Sequence, residues 1–163
     1  MSLAKGGKSP PHASHQNGTD ADLGYPTDDD DVWFPTVVQF IKPKKASASK
    51  DPIRKFHPDA YSPEKTLDLL KFAFTQKDVG IDRIFMDQYI IDDLCQHAKR
   101  NHLFDPASSD SKWTEKNEFW KNVFRTIQHV DGHGDHMHMR VKCGPLQRTC
   151  EPKIYRKMTH CQS

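Results

Sequence analysis

Two short polar stretches hold the residue types that metal and acid–base chemistry need. The first is PPHASHQNGTDADLGYP (10–26), with His12, His15, Asp20 and Asp22 in a run that offers almost nothing apolar to bury. The second is DGHGDHMHMRVKC (131–143), with His133, His136 and His138. In the first, His15 and Asp22 form H-x6-D, with Gly18 between them to let the chain turn. If that loop folds back, an imidazole nitrogen and a carboxylate oxygen meet on one ion. In the second, DHMHMRV alternates with period two. On a strand, His136, His138 and Arg140 face one side, and Met137, Met139 and Val141 the other. A nitrogen from His138 completes a three-ligand set with His15 and Asp22. Catalytic zinc sites use three protein ligands and keep a fourth place for water. Zinc lowers the pKa of that water to about 7 and polarises a bound carbonyl. A neighbouring imidazole then takes a proton or stabilises an oxyanion, and His136 and His133 are the candidates. H-x-H or H-x6-D alone is a weak signal; a polar loop produces either. Their conjunction is specific.

The elements that must position these residues are legible in part. VWFPTVVQFIK (32–42) is β-branched and aromatic and predicts a strand over 36–41. SPEKTLDLLKFAFTQ (62–76) opens with Ser62 as cap and Pro63 at the first helical position, then places Leu67, Leu70, Ala73 and Phe74 at helical spacing. VGIDRIFM (79–86) reads as a strand. DQYIIDDLCQHAKRN (87–101) predicts a helix capped by Asp87 that buries Cys95. WTEKNEFWKNVFRTIQ (113–128) stacks Phe119, Trp120, Val123, Phe124 and Ile127 on one stripe, a third helix. Its helical period makes the stripe core rather than a binding surface. Between these lie the acidic run Asp28–Asp31, read as a solvated loop, and a basic loop over 43–52.

A chain of 163 residues suffices for a single domain with a real core, although only 35% of it is hydrophobic. A net charge of +2 does not point to nucleic acid, and no run of about 18 apolar residues predicts a membrane span. The start, MSLAKGGKSPP, lacks the apolar stretch of a signal peptide. Residues 1–9 read as a disordered or added start, and the whole as a fragment or mature form of something longer. Of the four cysteines, Cys143 and Cys150 flank a turn containing Gly144 and Pro145, which favours a 143–150 bridge and leaves 95–161. Disulfides place the protein outside a reducing cytosol. Four buried thiols or a cysteine-based zinc knuckle are the alternatives.

HASHQNGTDADL followed by DHMHMRVKC resembles the penicillin-insensitive murein endopeptidases, within the wider group of lysostaphin-type enzymes, D-Ala-D-Ala metallopeptidases and hedgehog domains. The first motif, similar to S-H-Q-x-G-x-D-x-D, is met by Ser14, His15, Gln16, Gly18, Asp20 and Asp22. The second is met by His133, His136, His138 and Arg140, with Cys143 and Cys150 after it. The resemblance implies a Zn2+ enzyme that hydrolyses D-alanyl–meso-diaminopimelate cross-links between peptidoglycan stem peptides through a metal-activated water, in the periplasm or secreted. It implies His15, Asp22 and His138 as ligands, His12 near or on the metal, His136 as general base and His133 as a second imidazole for the transition state. A second metal position known in some members is not carried over, because Asp51 and His57 lie at a different spacing. A non-catalytic zinc-containing peptidoglycan-binding module is the alternative. A two-His-one-carboxylate iron oxygenase fits the ligand types but not three helices.

The expected fold is α+β: a mainly antiparallel sheet with helices on one face and a zinc cleft on the other. One strand carries 136–141, and the first motif lies on a loop or short strand end beside it. Arg140 is expected to hold a substrate carboxylate or to pair with Asp20 or Asp135.

Overall fold

The computed structural model describes residues 19–29, 35–41, 53–105, 107, 111–144 and 161. In chain order these form β1 (Asp20–Gly24), β2 (Val38–Ile41), β3 (Ile53–Phe56), α1 (Pro63–Thr75), β4 (Ile81–Met86), α2 (Gln88–Arg100), α3 (Ser111–Thr126), β5 (Ile127–His129) and β6 (His136–Val141). A single 3-10 turn, Pro58–Ala60, precedes α1.

The helices start where the sequence supplies caps. Ser62 accepts from the backbone N–H of Lys65 at 3.5 Å, and Pro63 needs no hydrogen-bond acceptor of its own. The Asp87 carboxylate accepts from the Tyr89 N–H at 3.0 Å. At the other end of α2, His97, Lys99 and Arg100 complement the negative pole of the helix. Ile90, Ile91, Leu94, Cys95 and Ala98 form its buried stripe. On α3, Trp120, Val123 and Phe124 are buried, with the Phe104 ring packed at a tilt against Phe124, so the aromatic stripe is core.

The main sheet has the order β1-β6-β4-β5. β1 and β4 both pair antiparallel with β6, whereas β4 and β5 run parallel. The sheet is therefore mixed rather than simply antiparallel. The parallel pair requires a crossover, and α2 and α3 provide it. This also shortens the third helix. The helical pattern reaches residue 128, but Ile127 leaves the helix to pair beside Ile84, both fully buried. Tertiary pairing of a β-branched residue overrides the local periodicity.

β6 lies between β1 and β4, so both of its edges are satisfied. One of its faces, Met137 and Met139, joins Ile84, Met86, Ile127 and the helical stripes in the hydrophobic core. Fully burying side chains of this size contributes about 1.5–3 kcal/mol each. That face fixes which way the histidines point. β2 and β3 form a separate antiparallel hairpin. The predicted strand over 36–41 is β2. β3 has no counterpart in the sequence pattern, since IRKF has little apolar periodicity. The loop over 43–52 and Asp30–Asp31 lie outside the described residues; Asp28 and Asp29 are exposed.

Cys95 is bonded to Cys161 across a sequence separation of 66 residues. Cys143 is also disulfide-bonded, and the expected partner, Cys150, lies outside the described residues. A cross-link closing a loop of this length stabilises by about 2–4 kcal/mol, chiefly by restricting the unfolded chain. Cys95→Ala is expected to lower unfolding stability by about that amount in denaturant titrations. An unchanged midpoint would show that the bridge is not formed.

Candidate active site

The site grows from strand register. Directly opposed residues in an antiparallel pair share a face. Asp22 stands opposite His138, and Asp20 opposite Arg140. On the other side of β6, Phe85 stands opposite His138 and Arg83 opposite Arg140. Two rows thus cross three strands: Asp22, His138, Phe85, and Asp20, Arg140, Arg83. The period-two alternation of DHMHMRV produces this arrangement as expected, with the methionines on the reverse face.

His138 is buried between two carboxylates. Its Nδ1 lies 2.9 Å from Asp22 Oδ1, and its Nε2 lies 2.8 Å from Asp20 Oδ1. Its ring packs against Phe85, with centroids 5.4 Å apart. His136 Nε2 is 4.0 Å from the same Asp22 oxygen. His136 Nδ1 donates to Asp135 Oδ1 at 2.5 Å, which leaves Nε2 as its basic atom. His133 lies 5.0 Å from His136, ring to ring, and donates from Nδ1 to the Val130 carbonyl at 3.0 Å. Burial, the largest cause, pushes the His133 pKa below its usual value, against the pull of that carbonyl, and the neighbouring imidazoles add to the fall. Burial thus favours the neutral ring, and with Nδ1 donating, its lone pair sits on Nε2.

Arg140 pairs with Asp20 through Nε at 2.9 Å and Nη2 at 3.1 Å, so the pairing role expected for it goes to Asp20 rather than to Asp135. Burial would raise the Asp20 carboxyl, but hydrogen bonds and charge from His138 and Arg140 outweigh it and hold the pKa below normal.

The loop between β5 and β6 is pinned. Tyr25 donates to the His133 carbonyl at 3.0 Å, and the backbone N–H groups of Val37 and Val38 both donate to Gly134 O, at 2.8 and 2.9 Å. Gly132 adopts a φ of 91°, open to glycine. The β2 strand therefore sets the position of His133.

The donor set suits zinc. Two ligand atoms about 2.0–2.2 Å from one tetrahedral ion sit about 3.3 Å apart. Asp22 Oδ1 and His138 Nδ1 lie 2.9 Å apart, facing each other, and would have to part by a few tenths of an ångström to share an ion. Asp22, His133, His136 and His138 are brought together; His12 and His15 lie outside the described residues. Sequence reasoning did not single out another group. Asp87, His129 and Asp131 place metal-type donor atoms within 4.8 Å of one another, at the start of α2 and the end of β5. Arg54 already pairs with both carboxylates there, at 3.7 Å to Asp87 and in direct contact with Asp131, and His129 Nε2 lies 3.1 Å from Asp131. Its cation is built in, and the group ties β3 to the site loop. The signal for it in the sequence is H-x-D at 129–131, beside the longer histidine cluster.

A strand pair that sets carboxylates against imidazoles offers donor atoms of the types that metal ions take. Over residues 1–163 the chain matches the family described as penicillin-insensitive murein endopeptidase. It belongs to that family. Two proteins of that name, from Klebsiella pneumoniae subsp. pneumoniae strain MGH 78578 and Klebsiella pneumoniae strain 342, are each 29% identical to it over 140 residues. The match takes in 86% of this chain and 42% of each relative, so the chain spans less than half of their length.

A Cβ on Gly134 would lie 2.4 Å from the Val38 carbonyl oxygen. Because that atom is backbone, Gly134→Ala is expected to cost about 1–3 kcal/mol in thermal or denaturant unfolding; wild-type stability would mean that the loop is not clamped. The His133 shift carries a pH sign. A group whose pKa is depressed on folding contributes stability above its unfolded value, 6.5, and that stability is lost as pH falls through the folded value. In metal-free protein taken from about pH 7 to about pH 5, His133→Gln should flatten the decline in urea midpoint. Parallel curves would remove the burial argument.

Proposed function

We propose that this chain carries the catalytic domain of a zinc-dependent endopeptidase that cuts D-alanyl–meso-diaminopimelate cross-links in bacterial peptidoglycan, in the periplasm or outside the cell. The observation that carries the reading is the convergence of Asp22, His136 and His138 on one face of β1 and β6, in a chain of this family. Among the described residues, no helix is long and apolar enough to cross a membrane.

Asp22 and His138 are ligands in this reading, His15 is the third, and His12 lies at or beside the metal. A zinc ion held there supplies Lewis acidity, lowering the pKa of a water and polarising the peptide carbonyl. The remaining work falls to the protein. His136 presents Nε2 toward the ligand oxygen of Asp22, and Asp135 fixes the tautomer that leaves this nitrogen basic. It is placed to take a proton from the nucleophile and return it to the leaving amine. His133, whose neutral form burial favours, donates from Nδ1 to the Val130 carbonyl. It can accept a proton at Nε2 and only then donate to a developing oxyanion. Phe85 closes one side of His138 and keeps water from that flank. No serine is acylated in this scheme, which accounts for insensitivity to penicillin. The disulfide between Cys95 and Cys161 fits an oxidising compartment.

The test is elemental analysis together with digestion of cross-linked muropeptide dimers, with and without chelator. About one zinc per chain and chelator-sensitive conversion to monomers is expected. His138→Ala should lose most of the zinc, whereas His136→Ala should keep it and lose about 100- to 10,000-fold in turnover. Zinc without cleavage would favour a non-catalytic peptidoglycan-binding module. Stoichiometric zinc in His138→Ala would refute the ligand assignment, and full turnover in His136→Ala would refute the general base.

A further inference from the structure

The β2–β3 hairpin stands apart from the main sheet, and the outer edge of β2 faces the loop that carries His133. Register fixes what that edge shows. Successive pairs in an antiparallel ladder alternate between exchanging backbone hydrogen bonds and pointing those groups away. The His57 N–H donates to Val37 O at 2.8 Å, one step before the pairing of Val38 with Phe56. Val37, Gln39 and Ile41 therefore bond inward to β3, whereas Val38 and Phe40 aim their N–H and C=O groups outward. Val38 donates its N–H to Gly134 O at 2.9 Å, and its carbonyl oxygen is the atom that a Cβ on Gly134 would meet at 2.4 Å. Phe40 repeats that orientation two residues on. Among the described residues, no backbone group bonds it from that side.

Beside this edge lies a hollow of about 150 Å3, lined by Thr36, Val38, Phe40, Gly132, Gly134 and Asp135. Its two glycines leave the wall opposite β2 without side chains, and nothing described lies within 4 Å of where a Cβ on Gly132 would stand. Bare backbone facing an open strand edge makes a slot for another backbone. The hollow is smaller than the about 300–1,000 Å3 of sites that enclose a whole ligand, so it suits a short piece of a chain that runs on past it. Asp135 adds a half-exposed carboxylate, and the same group holds His136 Nδ1, so the slot abuts the candidate general base.

We propose that this slot is the subsite for the acyl half of the cross-link: an extended stretch of stem peptide pairs with the outer N–H and C=O of Phe40, and a free ammonium on that stretch meets Asp135. The assignment rests on the proposed peptidoglycan substrate. In a D-alanyl–diaminopimelate cross-link, the diaminopimelate on the acyl side keeps its second amino group, which is charged at neutral pH. A carboxylate is its complement. One exchanged pair of backbone bonds demands no particular chirality, so a stem with D-centres can make it. A second copy of this chain fits less well, because edge-to-edge joining takes a run of open residues and the described part of this edge leaves only Phe40.

The probe is the uncross-linked tetrapeptide L-alanyl-γ-D-glutamyl-meso-diaminopimelyl-D-alanine, titrated into the whole chain by calorimetry. Phe40→Pro removes the outward N–H at an edge position, where proline spares the pairing to β3. Phe40→Ala keeps the N–H and controls for loss of the ring. The proline variant is expected to bind about 3- to 10-fold more weakly than the alanine variant. Acetylating the free amine should weaken binding to wild type and change nothing in Asp135→Asn. Equal affinities of the proline and alanine variants, equal losses on acetylation with and without the Asp135 carboxylate, or no binding by wild type overturn the proposal. If circular dichroism shows Phe40→Pro unfolded, amide exchange in wild type decides: slower exchange of the Phe40 N–H with peptide bound supports the pairing, and unchanged exchange overturns it. The endopeptidase reading fails separately. Cleavage of dimers by a chain that does not bind the tetrapeptide in this way removes the subsite alone, whereas binding as described without cleavage removes the hydrolytic reading and leaves the subsite in a peptidoglycan-binding module.

Discussion

The register between β1 and β6 is the constraint on which the site depends. Asp22 meets His138, and Asp20 meets Arg140, because Ala21 meets Met139 and Leu23 meets Met137 on the reverse face. Side chains alternate along a strand, so a slip of one residue would bury the aspartates in the core and expose the methionines. The hydrophobic effect thus selects the register, and the polar constellation follows from it. The cost of burying charge then tightens the choice. Asp20 and Arg140 are both desolvated, and their pairing offsets that cost for each.

The rest of the molecule holds that pair of strands still. β4 closes the far edge of β6 and supplies Phe85 and Arg83 to the two rows. The helices cover the apolar face. The β2–β3 hairpin, outside the main sheet, reaches the site by another route: backbone bonds to Gly134, and Arg54 bonded to Asp131 and facing Asp87. Tyr25 completes the clamp from the end of β1. The loop carrying His133 is therefore held from three directions, although its own sequence, rich in glycine, would leave it loose.

Much of this was legible in the sequence where local pattern and tertiary demand agree. The alternation of DHMHMRV gave the faces of β6, and the capped stripes gave α1 and α2. Legibility failed where a partner distant in sequence decides. Ile127 looks helical until β4 offers it an edge. IRKF looks like loop until β2 pairs with it. The two aspartates of D-A-D look alike until one is seen enclosed by Arg140 and Thr19. Spacing could single out Asp22 as a candidate ligand, but no spacing rule could foresee the enclosure of Asp20 by a strand more than a hundred residues away. His12 and His15 were named from the sequence and lie outside the described residues, so their part in the site stays with the motif.

The position of β6 in the chain bears on how the protein comes to life. It is one of the two inner strands of the sheet and the last of the described strands to be made. The contacts that define the site join residues 116 to 120 apart. Pairings of such high contact order form slowly, because a long loop must close before they return any free energy. Neither Asp20 nor Asp22 has its partner until almost all of the described chain is available. Nascent or half-folded molecules therefore lack the site altogether. Under the proposed zinc reading, an ion captured between Asp22 and His138 certifies that the sheet has closed, and the chain has no hydrolytic power to misdirect before then.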